Sequence, residues 1–151
     1  MNKEKMHLLA DLLETIKPVK FNMTYWMSDY NEESDEYSPN NPDEDGPADC
    51  MNLSAYDCNT AGCIAGWAVA MKNDLQVTNE KIHHIERQAA DYLGLDAAQA
   101  QKLFYYSGSN TIWEQHLHHF GFDENRPNDD QIEPKHAAYA LRMIADGEWE
   151  L

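Results

Sequence analysis

Residues 58–71 read Cys-Asn-Thr-Ala-Gly-Cys-Ile-Ala-Gly-Trp-Ala-Val-Ala-Met, and the fold of the chain is decided here. One apolar stripe of helical spacing is formed by Ile64, Trp67, Ala68 and Met71. Gly62, Gly66 and Ala70 recur every four residues and leave another side of the same helix nearly bare. A glycine lowers helix stability by about 1 kcal/mol relative to alanine, so two of them are best tolerated where another backbone comes close. We therefore expect a central, buried helix with Thr60 as its N-cap.

Apolar patterns of helical spacing on both sides of this stretch predict further helices. They cover residues 3–16, residues 79–93, a short stretch after the capping box of Asp96 and Gln99, residues 111–120, and a last stretch from Pro134 to Gly147. Trp149 is expected to fold back onto the core. No segment shows a convincing strand-like alternation, so residues 1–151 are predicted to form one compact all-α domain of five or six helices.

Charge is distributed very unevenly along the chain. The 151 residues hold 27 acidic and 11 basic side chains, for a net charge of −16. Lysine and arginine are absent from residues 21–71, which contain ten of the acids. This balance disfavours direct binding of nucleic acid or of an anionic membrane, since both depend on basic side chains. It leaves basic proteins as partners.

Residues 28–49 combine this acidity with Pro39, Pro42, Gly46 and Pro47. Such a composition is typical of irregular chain, and we expect a long, solvated acidic loop before the central helix. Its function is either to keep the protein soluble or to contact a basic partner. A calcium site around Asp43–Gly46 is a weaker alternative, because the EF-hand spacing of ligands is missing. The candidate partner-binding residues are Asp29, Glu32, Glu33, Asp35, Glu36, Asp43, Glu44, Asp45 and Asp49.

Three cysteines in a chain without a recognisable signal peptide favour reduced thiols in the cytoplasm. Cys58 and Cys63 lie near the start of the predicted central helix, where a thiolate could act as a nucleophile with a histidine. Cys50, Cys58 and Cys63 with a histidine could instead bind zinc, although their spacing matches no common zinc motif. Burial of the thiols in the core is the favoured interpretation. Nucleotide-binding and hydrolase motifs are missing, so no cofactor is expected.

The segment at 58–68 resembles the Cys-Gly-Thr-x-x-Cys-x-x-Gly pattern of a group of small, uncharacterised bacterial and phage proteins. Residues 21–26, 90–104 and 132–138 resemble other segments of the same group. Two positions depart from its patterns, because Asn59 replaces a glycine and Glu133 replaces a capping threonine. The acidic stretch 28–49 is longer than the corresponding connector of the group, and any specialised role is expected there.

Charge and resemblance together predict a non-enzymatic interaction protein of a phage or mobile element, which presents a partly nucleic-acid-like surface to a basic host or defence protein. Fully extended, residues 29–49 would carry one charge per about 8 Å, against one per about 1.7 Å in duplex DNA. Effective mimicry would therefore need other acidic faces or a dimer. The alternatives are a small hydrolase or transferase that uses Cys58 or Cys63, and a zinc-stabilised regulator.

Overall fold

The fold is all-α, and a computed structural model describes it for residues 1–18, 21, 23, 28–31, 36–39, 51–52, 60–61, 63–77, 84–106, 110–121 and 132–151. The helices are α1 Lys3–Thr15, α2 Ile64–Lys72, α3 Ile85–Leu93, α4 Ala97–Phe104, α5 Ile112–Gln115 and α6 Pro134–Asp146, with a 3₁₀ helix at Leu117–Phe120. Five short strands accompany them: β1 Ser28–Asn31, β2 Glu36–Pro39, β3 Met51–Asn52, β4 Thr60–Ala61 and β5 Gln76–Val77. Among the described residues, none of the helices has the length and hydropathy needed to cross a bilayer.

Helix α2 is the buried centre of the fold, as predicted. Its residues Ile64 to Ala70 are all buried, so the helix is apolar around its whole circumference. It packs mainly against α3 and also against α1. The predicted start of this helix is wrong, because α2 begins at Ile64 with Cys63 as its N-cap. Thr60 instead forms β4 with Ala61 and pairs with Asp29 of β1, a position that suits a β-branched residue.

The first and last helices form the other main contact of the core. The inner face of α1 carries Met6, Leu9 and Leu13, all fully buried, and α1 packs against α6 over most of its length. Leu141 and Ile144 lie on the buried face of α6. These stripes confirm the helical periodicity read from the sequence.

Ion pairs tie the outer edges of α1 and α6 together. The guanidinium of Arg142 on α6 lies 2.7 Å from an oxygen of Asp11 and 3.0 Å from an oxygen of Glu14, both on α1. These carboxylates raise the pKa of Arg142 through their hydrogen bonds, Asp11 first. Asp11 and Glu14 are largely exposed and Arg142 is partly exposed, so solvent screens these ion pairs and their contribution to stability is small.

Two predicted helices differ from the structure. Of the helix expected over residues 79–93, the structure shows α3, which begins at Ile85. His84 precedes it with a left-handed backbone (φ 57°), and residues 78–83 lie outside the described residues. The helix expected over residues 111–120 divides into α5 and the 3₁₀ helix. The break lies at His116, where φ is −123° and ψ is 25°. Ala89 and Leu93 of α3 and Trp113 of α5 are buried, and the bounds of both helices differ from those predicted.

Residues 28–49 contain regular structure that their composition did not indicate. β1 and β2 form an antiparallel hairpin, and β1 also pairs with β4, which gives the strand order β2-β1-β4. Tyr30 and Tyr37 stand opposite each other in this hairpin, and tyrosine is enriched in strands. The expectation of a loop without any regular element is therefore wrong for residues 28–31 and 36–39, while residues 32–35 and 40–50 lie outside the described residues.

Candidate functional site

The structure separates the charge of the protein into two parts. We call residues 1–18, 63–75, 84–106, 110–121 and 132–151 the helical body. It carries twelve acidic and eight basic side chains, a net charge of −4. The whole chain has a net charge of −16, so the other residues contribute −12. The balance of acidic and basic side chains in the helical body is ordinary for a protein. The excess of negative charge belongs to the segments between its helices.

Residues 29–49, which we call the acidic segment, hold nine of these acids and no base. Asp29 lies on β1 and Glu36 begins β2. Glu32, Glu33 and Asp35 lie outside the described residues, in the stretch 32–35 between Asn31 and Glu36, which pair with each other. Paired residues of antiparallel strands have Cα atoms about 5 Å apart. Five of the nine acids thus belong to residues 28–39, and the structure describes two of them, Asp29 and Glu36.

The other acids of the segment are Asp43, Glu44, Asp45 and Asp49, and they lie outside the described residues. The chain around them is nevertheless attached on both sides of the central helix. β4, which pairs with β1, ends three residues before α2 begins, and β5, which follows α2, pairs with β3 at Met51–Asn52. Two ladders therefore connect the acidic region to the backbone that flanks the buried helix.

Cys63 occupies the N-cap position of α2 and is only 2% exposed. Burial raises the pKa of its thiol to about 11, although hydrogen bonding with the backbone of Gly66 and Ala65 acts in the opposite direction. At neutral pH the sulfur is therefore protonated. A nucleophile or a zinc ligand must be a thiolate, so these observations favour packing as the role of Cys63. Cys50 and Cys58 lie outside the described residues.

The three histidines of residues 116–119, which we call the histidine turn, lie together between α5 and α6. Trp113 anchors this part of the chain, because its fully buried indole donates a hydrogen bond of 3.1 Å from Nε1 to the carbonyl of Leu103. The ring centroids of His116 and His119 are 5.7 Å apart, and those of His118 and His119 are 4.1 Å apart. His116 and His119 thus lie close to each other on this turn.

Trp149 packs against the histidine turn. Its ring lies parallel to that of His116, with 3.7 Å between centroids and 1° between planes. It also contacts Phe120 edge-on at 5.8 Å. Trp149 is 6% exposed and belongs to the core, which confirms that it folds back. The sequence indicated this return but not its partner, because nothing in the spacing of residues 116 and 149 links a histidine to this tryptophan.

Neither the histidine turn nor the rest of the described residues forms a group of three or more side chains placed to hold a metal ion. Burial lowers the pKa of His116, and the nearby positive charges of protonated His119 and His118 lower it further. His118 and His119 are exposed. The histidines of this turn are thus packed or exposed side chains, while the zinc and cysteine–histidine hypotheses also involve Cys50 and Cys58, which lie outside the described residues.

Comparisons of the chain with protein-family models, with curated proteins and with solved structures found no match. The resemblance to small bacterial and phage proteins therefore stays a prediction.

Proposed function

We propose that the protein is a non-enzymatic interaction protein that presents its acidic segment to a basic partner. The observation that carries this proposal is the partition of charge between a nearly balanced helical body and an acidic segment without a single base. A protein that needed acids only for solubility could distribute them over its whole surface. Concentration of like charge in one segment costs stability through repulsion and suits a contact with opposite charge.

The hairpin supports the proposal because it raises the local density of charge. Its ladder of four residue pairs is about 13 Å long, and five of the nine acids belong to the ladder and the connection that closes it. The ladder itself carries Asp29 and Glu36, which corresponds to one charge per about 6.5 Å along its axis, against about 8 Å in a fully extended chain. Duplex DNA carries one charge per about 1.7 Å. Partial mimicry of a nucleic acid is thus closer than the extended chain suggested, and a dimer would increase it.

The proposed partner is a basic protein, and a nucleic-acid-binding host or defence protein fits this chemistry. Such a partner already carries a surface that binds closely spaced negative charges. An inhibitor encoded by a phage or mobile element would compete for that surface from the cytoplasm. Electrostatic complementarity of this kind acts chiefly on the rate of association.

Two variants with equal changes of charge test the proposal. The segment variant carries Glu32→Gln, Glu33→Gln, Asp35→Asn and Glu36→Gln. The body variant carries Asp74→Asn, Asp91→Asn, Glu148→Gln and Glu150→Gln, four exposed positions of the helical body. Proteins captured from the source cell by the wild type and by each variant are identified by mass spectrometry.

The specific partner should be captured by the wild type and the body variant and be lost or strongly reduced with the segment variant. Its association rate should fall as NaCl rises from about 0.05 to 0.5 M, over which the Debye length shrinks from roughly 14 to 4 Å. A partner that binds all three proteins with the same affinity and the same dependence on salt would refute the proposal.

A further inference from the structure

The stack of His116 on Trp149 places a titratable ring against the buried tryptophan of the chain after α6. The two rings are parallel at 3.7 Å between centroids, and His119 lies 5.5 Å from the same indole. Trp149 is nearly fully buried by these contacts and by Phe120. Histidine changes its charge between pH 5 and 8 more readily than other side chains. The docking of Trp149 therefore depends on a ring whose charge changes in this range.

The charged and titratable groups around the stack come from every neighbouring element. His118 and His119 belong to the histidine turn itself, and Glu114 lies on α5, two residues before His116. The turn contacts α6 through Phe120, whose ring lies 5.5 Å from that of His136 and 6.3 Å from that of Tyr139.

Further carboxylates lie close in the chain to Trp149. Glu148 and Glu150 flank it and are exposed, and Asp146 at the end of α6 has an oxygen 3.2 Å from Nε2 of His7 on α1. These carboxylates attract a protonated histidine turn, and an imidazolium over an indole gains a cation–π interaction. Both effects resist release. Burial and the two neighbouring histidines nevertheless place the pKa of His116 below its ordinary value.

We propose that the stack of His116 on Trp149 is an acid-sensitive latch, which holds the segment after α6 against the histidine turn at neutral pH and releases it when the turn takes up protons. Protonation requires His116 to hold a charge in a partly desolvated position against the indole of Trp149. Release of Trp149 returns the ring of His116 to water and removes this desolvation cost.

Linkage gives the direction of the pH effect. The pKa of His116 is lowered from 6.5 in the docked state, so the released state binds a proton first as the pH falls. Docking is therefore fully stable above pH 6.5 and weakens below it, down to the pKa of the docked state. Each unit of difference between the two pKa values changes the docking equilibrium tenfold.

The test is an NMR titration of the full, ¹⁵N-labelled chain from pH 7.5 to pH 5. The indole N–H of Trp149, assigned with Trp149→Phe, should move with the midpoint of His116, below pH 6.5. Its protection from hydrogen exchange, corrected for the intrinsic rate, should fall between pH 7.5 and 5.5. The indole N–H of Trp113, which is hydrogen-bonded in the core, should keep its protection and so distinguishes local release from unfolding.

His116→Phe keeps an aromatic ring without a titratable nitrogen, and in this variant Trp149 should stay protected at pH 5.5. His84→Asn removes an exposed histidine before α3 and should leave the wild-type titration unchanged. Three results would overturn the latch: protection of Trp149 throughout the titration, simultaneous loss of protection at Trp113, or release in His116→Phe at the wild-type midpoint. The comparison of Trp149 with Trp113 in the wild type decides the matter even if His116→Phe does not fold.

Discussion

At the scale of single residues, Gly94 joins the start of the chain to the end of α3. Its φ is 67°, and the amide N–H of Asn2 donates a hydrogen bond of 2.7 Å to the carbonyl of the preceding Leu93. A Cβ added at Gly94 would lie 3.1 Å from the amide nitrogen of Asn2 and 3.3 Å from the carbonyl carbon of Met1. A glycine directly after a helical pattern is a common helix stop, whereas this contact with the first residues could be found only in the structure.

Gly94→Ala should therefore destabilise the protein for two reasons. A left-handed backbone costs an alanine about 1–2 kcal/mol, and the neighbouring backbone must also move, which adds a cost of about 1 kcal/mol or more. Gly121→Ala is the matched control, because Gly121 has a φ of 74° with nothing within 4 Å of its added Cβ. Urea unfolding should show a larger loss for Gly94→Ala than for Gly121→Ala. Equal losses of unfolding free energy in the two variants would show that the contact of Gly94 with the first residues does not add to the destabilisation.

The thiol of Cys63 should stay unreactive until the protein unfolds, because the group is buried and its pKa is about 11. Titration with Ellman's reagent at pH 8 should leave at least one of the three cysteines unreacted in the native protein. Denaturant should then expose all three. In Cys63→Ala the native count should be unchanged and the denatured count should fall to two. A fast thiol that disappears in Cys63→Ala would instead revive the nucleophile hypothesis.

At the scale of elements, the inner faces could be read from the sequence and several bounds could not. Leu9 and Leu141 lie on buried faces as their spacing predicted, because a helix must bury its apolar stripe whatever its partner is. The predicted start of α2 was wrong because threonine suits both an N-cap and a strand. Only the pairing of Thr60 with Asp29, 31 positions away, places it in a strand. The hairpin in the acidic segment was missed for a similar reason. Its short strands depend on non-local partners, while composition reports local preference.

Gly66 is buried in α2. We explain this glycine by the close approach of another backbone to the helix. Gly66→Leu should lower the free energy of unfolding by about 1–3 kcal/mol or more, because a large side chain has no room in a packed interior. Gln101→Leu, at an exposed position of α4, is the control and should change stability by about 0.5 kcal/mol or less. A thermal melt of Gly66→Leu within a degree of the wild type would contradict close packing at this face.

At the scale of the whole molecule, the helical body and the acidic segment contribute different things. The buried side chains of the described core belong to the helices or lie beside them, at positions such as Phe21, Ile132 and Trp149. The charge belongs mainly to the connections. The sequence predicted this division from composition alone, because residues 21–71 contain no base. It could not predict that part of the acidic chain pairs with the strand leading into α2, which brings the like charges towards the body that they repel.

Salt should therefore stabilise the folded protein. A net charge of −16 works against a compact state through repulsion, and NaCl at about 0.5 M shortens the range of that repulsion to roughly 4 Å from roughly 14 Å at 0.05 M. The melting temperature of the wild type, followed by circular dichroism, should rise by several degrees over this range.

The melting temperature of the segment variant should rise less, since the four acids that it neutralises lie within five consecutive residues and repel one another most strongly. The body variant removes the same number of charges from dispersed positions and should keep most of the wild-type rise. An equal reduction in both variants would show that the acids of the hairpin are no closer to one another than those of the helical body, and the concentrated acidic surface proposed for partner binding would lose its structural basis.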